Sequence, residues 1–337
     1  MIDLGTKYLG LELKNPIIAG ASRLTAHMDS IKKIEESGAG AMVVKSLFEE
    51  EIQLERLKLD QDLEKYCERH PEMISIFPRL EHAGPKEHLM WVRKTKETVS
   101  IPVIASLNAV NRDTWVEYAK LLQETGIDAL ELNLYSVPTD FEKDASALEE
   151  EQASIVEAIQ QEVTVPVAVK LSPFYSNPLH FVSRLDRLGV KGFVLFNRFF
   201  QPDIDINTQK NIFPLNLSLP IDNRLALRFA GLLHGKVEGD ICSNTGVFQG
   251  EDVVKMILAG ATCVQVVSTL FQNGVEHIGK MLQAIEEWMK AKGCDSLEDF
   301  RGRLSRRNIA DPWVYTRAQY VKFLLNPELL IDDVPLP

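Results

Sequence analysis

Six polar residues stand where short apolar runs of this chain stop, and their types can do chemistry together: Lys45, Asn133, Lys170, Asn197, Thr245 and Ser268. A lysine closing an apolar run is hard to explain by packing, because its ammonium must be solvated or paired. Lys45 and Lys170 suit a bound anion, or an electron-rich ring that becomes anionic on reduction. A structural salt bridge to a strand carboxylate such as Glu131 is the competing role. Asn133 and Asn197 each present a donor and an acceptor, which suits the edge of a planar amide or imide, and loop capping is their alternative. The stretches Ser243-Asn244-Thr245-Gly246-Val247 and Val267-Ser268-Thr269 offer backbone N–H groups, a close approach at Gly246 and a hydroxyl at Ser268. Together they suit a phosphate. After Asn133 the chain runs into a loop carrying a further hydroxyl, Ser136.

The runs that would position these residues lie at 16–21, 41–46, 102–107, 129–134, 166–171, 192–197, 240–245 and 263–268. They are rich in Val and Ile and bounded by Gly, Pro or Asp, the pattern of strands covered on both faces in a parallel sheet. Amphipathic helical patterns fall near 27–37, 112–125, 144–161, 177–187, 223–234, 250–259 and 275–291. Gly126, Gly189, Gly235 and Gly260 stand where helices should end, and Asp113, Asn177 and Asn223 where they should be capped at the start. Strand and helix alternating eight times predict one α/β domain over 1–337, a (β/α)8 TIM barrel whose chemistry sits at the C-terminal strand ends. Residues 3–13 alternate around Gly10 and predict a short N-terminal hairpin capping the barrel bottom. The connections 47–100 and 198–223 are long enough to predict inserted top-face loops. The first opens with an acidic stretch, 49–56, expected as a solvated helix; the second is expected to add a hairpin.

The chain has 337 residues, 45% of them hydrophobic and 25% charged, with a net charge of -11 and a pI near 5.2. An acidic surface disfavours nucleic acid as a partner. No apolar stretch reaches the ~20 residues that cross a bilayer, and the start lacks the pattern of a signal peptide, so a cytoplasmic location is expected. Cys67, Cys242, Cys263 and Cys294 are too scattered for a zinc or iron–sulfur site and are expected as reduced, mostly buried thiols. The histidines lack metal-ligand spacing, with His82 and His88 expected in a loop, and no metal is expected. A dinucleotide-binding glycine motif after a strand is also missing.

Taken in order, these pieces resemble the class 1 dihydroorotate dehydrogenase family over nearly the whole chain. The matching motifs are Asn15-Pro16, Gly40-Ala41 with Lys45-Ser46, Glu131-Leu-Asn-Leu134, Val169-Lys-Leu171 with Pro173, and Asn197. They continue through Thr245-Gly246-Val247, Leu258-Ala-Gly-Ala-Thr262 and Ser296-Leu-Glu-Asp-Phe300 with Gly302. The resemblance implies an FMN-dependent oxidoreductase that removes a C5 proton and a C6 hydride from dihydroorotate. It implies that Gly20, Ala21 and Ser22 run along the isoalloxazine and that Lys45 and Lys170 contact the flavin, with Lys45 near its N1–C2 edge. Asn108, Asn133 and Asn197 join the cofactor set. Thr245, Gly246, Val267 and Ser268 would hold the phosphate. Lys45, Asn133 and Asn197 would meet the pyrimidine, and Ser136 falls at the position of the catalytic base. Electrons would pass to a soluble acceptor such as fumarate or to a separate electron-transfer subunit. A homodimer is an associated expectation.

The chain departs from this family at the loops that recognise the substrate. The family's Asn-Ser-Met-Gly-Leu-Pro-Asn is replaced by Ile74-Ser-Ile-Phe-Pro-Arg-Leu80, and the base loop reads Asn133-Leu-Tyr-Ser-Val-Pro138, without a second asparagine. A glycine pair expected near Ser218-Leu219 is absent. Other dihydropyrimidines or unsaturated small molecules are therefore alternative substrates. Two further rivals are a dihydrouridine-synthase-like flavoprotein, which needs a basic RNA-binding extension, and a flavin-free phosphate-binding lyase or isomerase.

Overall fold

All eight apolar runs form strands. The computed structural model describes residues 2–53, 85–199, 201–212, 217–316 and residue 325. The chain opens with an antiparallel hairpin, β1 (Thr6–Tyr8) and β2 (Leu11–Leu13), turned by Leu9 and Gly10 at φ 55° and 79°. Then follow β3 (Ile17–Ala19), β4 (Ala41–Val43), a short β5 (Leu47–Phe48), β6 (Val103–Asn108), β7 (Ala129–Asn133), β8 (Val167–Leu171) and β9 (Gly192–Leu195). A second antiparallel hairpin, β10 (Asp203–Asp205) and β11 (Lys210–Ile212), precedes β12 (Asp240–Asn244) and β13 (Cys263–Val266). The parallel order β4-β3-β13-β12-β9-β8-β7-β6 is closed by pairing of β4 with β6, so eight strands make a barrel. The (β/α)8 expectation holds, as do both hairpins.

The period of two along each strand divides the barrel interior into layers. Ile18, Val43, Ile104, Ala168, Val194, Cys242 and Cys263 form an apolar floor with Tyr8, Leu9 and Leu13 of the hairpin, which plugs the barrel from below. Two residues further along the same strands come Gly20, Lys45, Ser106, Lys170, Asn244 and Gln265, and two beyond Ala129 comes Glu131, while Phe196 leaves the pattern and packs outward against Phe229. Polar side chains thus follow apolar ones toward the C-terminal ends. The opposite strand faces pack in the larger core against helices such as Arg112–Gln123, Pro178–Arg187 and Gly250–Ala259.

Gly126, Gly189, Gly235 and Gly260 all take positive φ at or just past helix ends, as expected. Asn177 caps its helix by accepting from the His180 N–H at 3.3 Å. Two expected caps are corrected. Asp113 lies inside the first turn of its helix, which Asn111 precedes, and Asn223 is already helical, its amide donating to Asp252 at 3.1 Å. Asn111 has the extended backbone that a cap position needs, whereas Asn223 continues a turn, Pro220–Asp222, whose backbone is already helical. His88 is corrected too: it is buried in helix Pro85–Thr98. Cys242, Cys263 and Cys294 are buried thiols. Cys67, His82 and the stretch 74–80 lie outside the described residues.

The acidic stretch after β5 is helical over 49–53, but Glu49 is 2% exposed rather than solvated. Its carboxylate accepts from the N–H groups of Val110 and Asn111 and from the Asn111 amide, tying the loop after β5 to the loop after β6. Burial alone would raise the Glu49 carboxyl, but the hydrogen bonds from Asn111 and Val110 outweigh it and hold the group below its ordinary value. Glu49 therefore stabilises the fold above the unfolded carboxylate value near ~4.3, and that contribution is lost as pH falls through the lower folded-state value. Glu49→Gln should be less stable than wild type in urea unfolding at neutral pH. The difference should shrink as the pH drops below the unfolded value; a gap independent of pH would contradict this role.

Candidate active site

At the C-terminal end of the barrel a cavity of about 400 Å³ opens directly above the polar layer. Lys45, Lys170, Asn133, Asn197, Thr245, Gly246, Val267 and Ser268 line it, together with Ala21 and Ser22. These residues come from seven different strand ends, and closure of the barrel is what brings them together. Ser22 also opens the turn Arg23–Ala26, its hydroxyl accepting from the Leu24 N–H at 3.3 Å. Gly20 lies behind the wall, where an added Cβ would stand 2.7 Å from Val267 Cγ2.

The floor of the cavity is charged. Lys170 Nζ lies 3.9 Å from Glu131 Oε1, with side chains 8% and 1% exposed, so the salt bridge weighed from the sequence is present. Gln265 Nε2 donates to the other Glu131 oxygen. Gln265 Oε1 is buried without a hydrogen-bond partner among the described residues. Above this floor, Asn197 Nδ2 donates to Asn133 Oδ1 at 2.6 Å, so the two amides form one edge.

Lys45 reaches the cavity from the other side and pairs with Glu51 at 2.6 Å. His88 lies near it: burial, with the Lys45 charge, pushes the His88 imidazole down to about 4, so it is neutral at physiological pH.

The phosphate-like end is built from three loops. Ser218 N–H donates to Ser268 Oγ at 2.9 Å, the Ser218 and Ser268 hydroxyls are 2.8 Å apart, and Gly246 N–H donates to Ser218 Oγ at 3.2 Å. Gly246 has φ 73°, and an added Cβ would be 2.3 Å from the backbone nitrogen of Asn223, so only glycine fits there. Thr245, also at positive φ, donates its hydroxyl to the Phe196 carbonyl at 2.8 Å. Ser218, which stands where the resemblance leads one to expect glycine, contributes a hydroxyl to this cluster.

Besides Gly20, two expected site residues are placed elsewhere. Asn108 does not line the cavity; its amide donates to the carbonyls of Asn133 at 2.6 Å and Tyr135 at 3.2 Å, bracing the next loop. Ser136 is exposed and lines a neighbouring pocket with Leu148, Glu149 and Phe174. Its hydroxyl accepts from Gln152 at 3.4 Å, and Gln152 in turn accepts from the Tyr175 hydroxyl at 2.7 Å. Burial, reinforced by Glu149, raises the Tyr175 phenol well above its ordinary value, so it stays protonated.

Several lining residues escaped the sequence reading. Gln265 carries the same signal as Lys170, a polar residue inside an apolar run, and could have been found that way. Arg198, which is bonded to Asp222, sits in a loop whose direction the strand pattern does not fix, as does Tyr135, which the sequence offers only as an alternative to Ser136 and which packs edge-on to Phe199 with ring centroids 4.6 Å apart.

Comparison with known proteins agrees with this geometry. The family model for dihydroorotate dehydrogenase matches residues 63–289. A protein of Aeropyrum pernix named "Putative dihydroorotate dehydrogenase A (fumarate)" is 28% identical over 319 residues, covering 90% of this chain and 98% of that one. The dihydroorotate dehydrogenase B (NAD(+)) catalytic subunit of Petrotoga mobilis is 27% identical over 313 residues, covering 90% and 99%. The dihydroorotate dehydrogenase A (fumarate) of Lactobacillus delbrueckii is 25% identical over 323 residues, covering 90% and 99%. With a barrel of this topology, a cavity at its C-terminal strand ends and a family match over most of its length, the chain belongs to the dihydroorotate dehydrogenase family.

Proposed function

We propose that this chain is an FMN-dependent oxidoreductase of CH–CH bonds that converts dihydroorotate to orotate in pyrimidine biosynthesis. One observation carries the reading: two lysines, an amide pair and an anion-suited backbone cluster converge on one cavity on the barrel axis. Each part alone has a bland explanation. A lyase or isomerase would use the phosphate cluster alone and leave the cavity's lysines and amide pair with structural partners but no ligand to meet.

FMN fits the residues present. The buried oxygen of Gln265, without a hydrogen-bond partner among the described residues, and the Lys170 ammonium suit the polar edge of a planar ring, and the glycine cradle with Ser218 and Ser268 suits a phosphate. In this reading Ala21 and Ser22 border the ring, with Gly20 behind them keeping the wall thin, and Thr245, Gly246, Val267 and Ser268 border the phosphate. Asn108 acts by bracing the loop that starts at Asn133. When bound, the flavin supplies a two-electron acceptor for the hydride leaving the substrate.

The chain's own groups do the rest. The Asn133–Asn197 pair presents a donor and an acceptor to the pyrimidine amide edge. Lys45, held against Glu51, supplies an ammonium where negative charge grows during the reaction. In this reading Ser136 is the base for the substrate proton, with Tyr135 or Asp140 as the neighbour that would take it otherwise. Ser136 follows the cavity-lining Asn133 by three residues but faces the neighbouring pocket, so this role requires the loop to turn its hydroxyl toward the cavity. The acceptor of the electrons is a soluble molecule such as fumarate or a separate subunit, and relatives of both kinds support this. The acidic composition supports a cytoplasmic setting, and no described helix is long and apolar enough to cross a membrane. A single domain over 1–337 and a homodimer complete the proposal.

Anaerobic rapid mixing of the flavin-loaded protein with dihydroorotate tests this reading directly: the flavin should bleach, and an unchanged oxidised spectrum would contradict it. Lys45→Ala should slow that bleaching more than it weakens flavin binding, because the charge it meets grows during the reaction. Equal loss of both would count against the role.

Ser136→Ala should slow flavin reduction by about two orders of magnitude or more, the usual range for lost acid–base catalysis, with little change in substrate affinity. Ser136→Cys should retain activity and shift the pH–rate profile downward, since thiols ionise near ~8.5. Reduction in Ser136→Ala that matches wild type at every pH would show that another group takes the proton.

A further inference from the structure

Arg198 and Lys45, two of the cations that line the cavity beside Arg23 and Lys170, come with carboxylates of their own. Arg198 is bonded to Asp222, and Lys45 Nζ sits 2.6 Å from Glu51 Oε1. The second pair is not a loose surface contact. The segment is led out of the barrel by pairing of Leu47 and Phe48 with Leu107 and Asn108, and it is pinned by the buried Glu49 carboxylate on the N–H groups of Val110 and Asn111. Glu51 follows two residues later in the same helical turn, so its carboxylate is carried to Lys45 by an anchored backbone. The lining amides Asn133 and Asn197 are neutral and already engaged with each other, and Lys170 is committed to Glu131 below them.

Any anionic substituent that enters and seeks Lys45 therefore finds a carboxylate in place. We propose that Glu51 is a specificity-determining residue: an internal counter-ion that competes with a substrate's carboxylate for Lys45 and so narrows the advantage of carboxylate-bearing pyrimidines over neutral ones. This rests on the reading of the cavity as a pyrimidine site. Two opposite charges at hydrogen-bond distance attract each other strongly, and a third, negative group gains less from the cation once it is neutralised. A neutral ring needs no such exchange and is read by the amide pair alone.

The test uses the intact flavin-loaded protein and its Glu51→Gln variant, which keeps the shape and removes the charge. Binding of orotate, which carries a carboxylate, and of uracil, which does not, is followed by perturbation of the flavin spectrum. Glu51→Gln should tighten orotate about fivefold, the upper range for a partly exposed ion pair, and leave uracil unchanged. Orotate affinity that is unchanged or weaker in the variant, or equal tightening of both ligands, would overturn the proposal. If neither pyrimidine perturbs wild type or variant, the pyrimidine reading fails, and a sulfite titration decides the role of Glu51 separately. Tighter sulfite in Glu51→Gln would uphold the counter-ion role, and equal affinity would overturn it.

Discussion

A carboxylate on the axis of a closed barrel, Glu131, is the constraint around which the rest of this structure is arranged. At 1% exposure it cannot be left alone, because the cost of burying an unpaired charge exceeds what most single interactions return. Lys170 from the next strand and Gln265 from across the barrel answer it. This cluster marks the level at which the interior changes from apolar to polar. Below it, the hairpin residues Tyr8, Leu9 and Leu13 close the barrel with hydrocarbon; above it, the strand ends are free to carry chemistry. Removing one partner of a buried pair leaves the other uncompensated and costs ~3–5 kcal/mol, so the residues that suit a ligand here also hold the barrel together.

The strand half of the site was legible in the sequence because a period of two leaves a strong trace. Lys170 breaks the run 166–171, and Asn133 closes another two residues beyond Glu131; such interruptions identify the interior polar layer once a barrel is assumed. Gly246 was legible for a related reason, since a glycine between polar residues at a strand end signals a backbone that something must approach closely. Gln265 gave the same signal inside 263–268 and went unread.

The loop half was less legible. The charge run beginning at Glu49 looks solvated by composition, yet Glu49 is buried because two N–H groups of another loop need an acceptor, a partnership separated by 61 residues. Ser136 looked poised over the mouth from its distance to Asn133, but the loop turns away and its hydroxyl meets Gln152. Asn108 looked like a ligand, and its amide donates to the carbonyls of Asn133 and Tyr135. In each case the deciding contact is tertiary, and no local periodicity encodes it. Arg198 and Ser218 belong to the same class: both lie in the insertion after β9, where only the packing of three loops fixes which side chains face inward.

What unites the two halves is the claim that the polar layer and the glycine cradle together seat a flavin mononucleotide. The visible absorbance spectrum of the purified protein tests that claim most directly. A yellow protein, whose cofactor is released by heat and chromatographs as FMN, is the predicted result. A protein that stays colourless after incubation with FMN would contradict it.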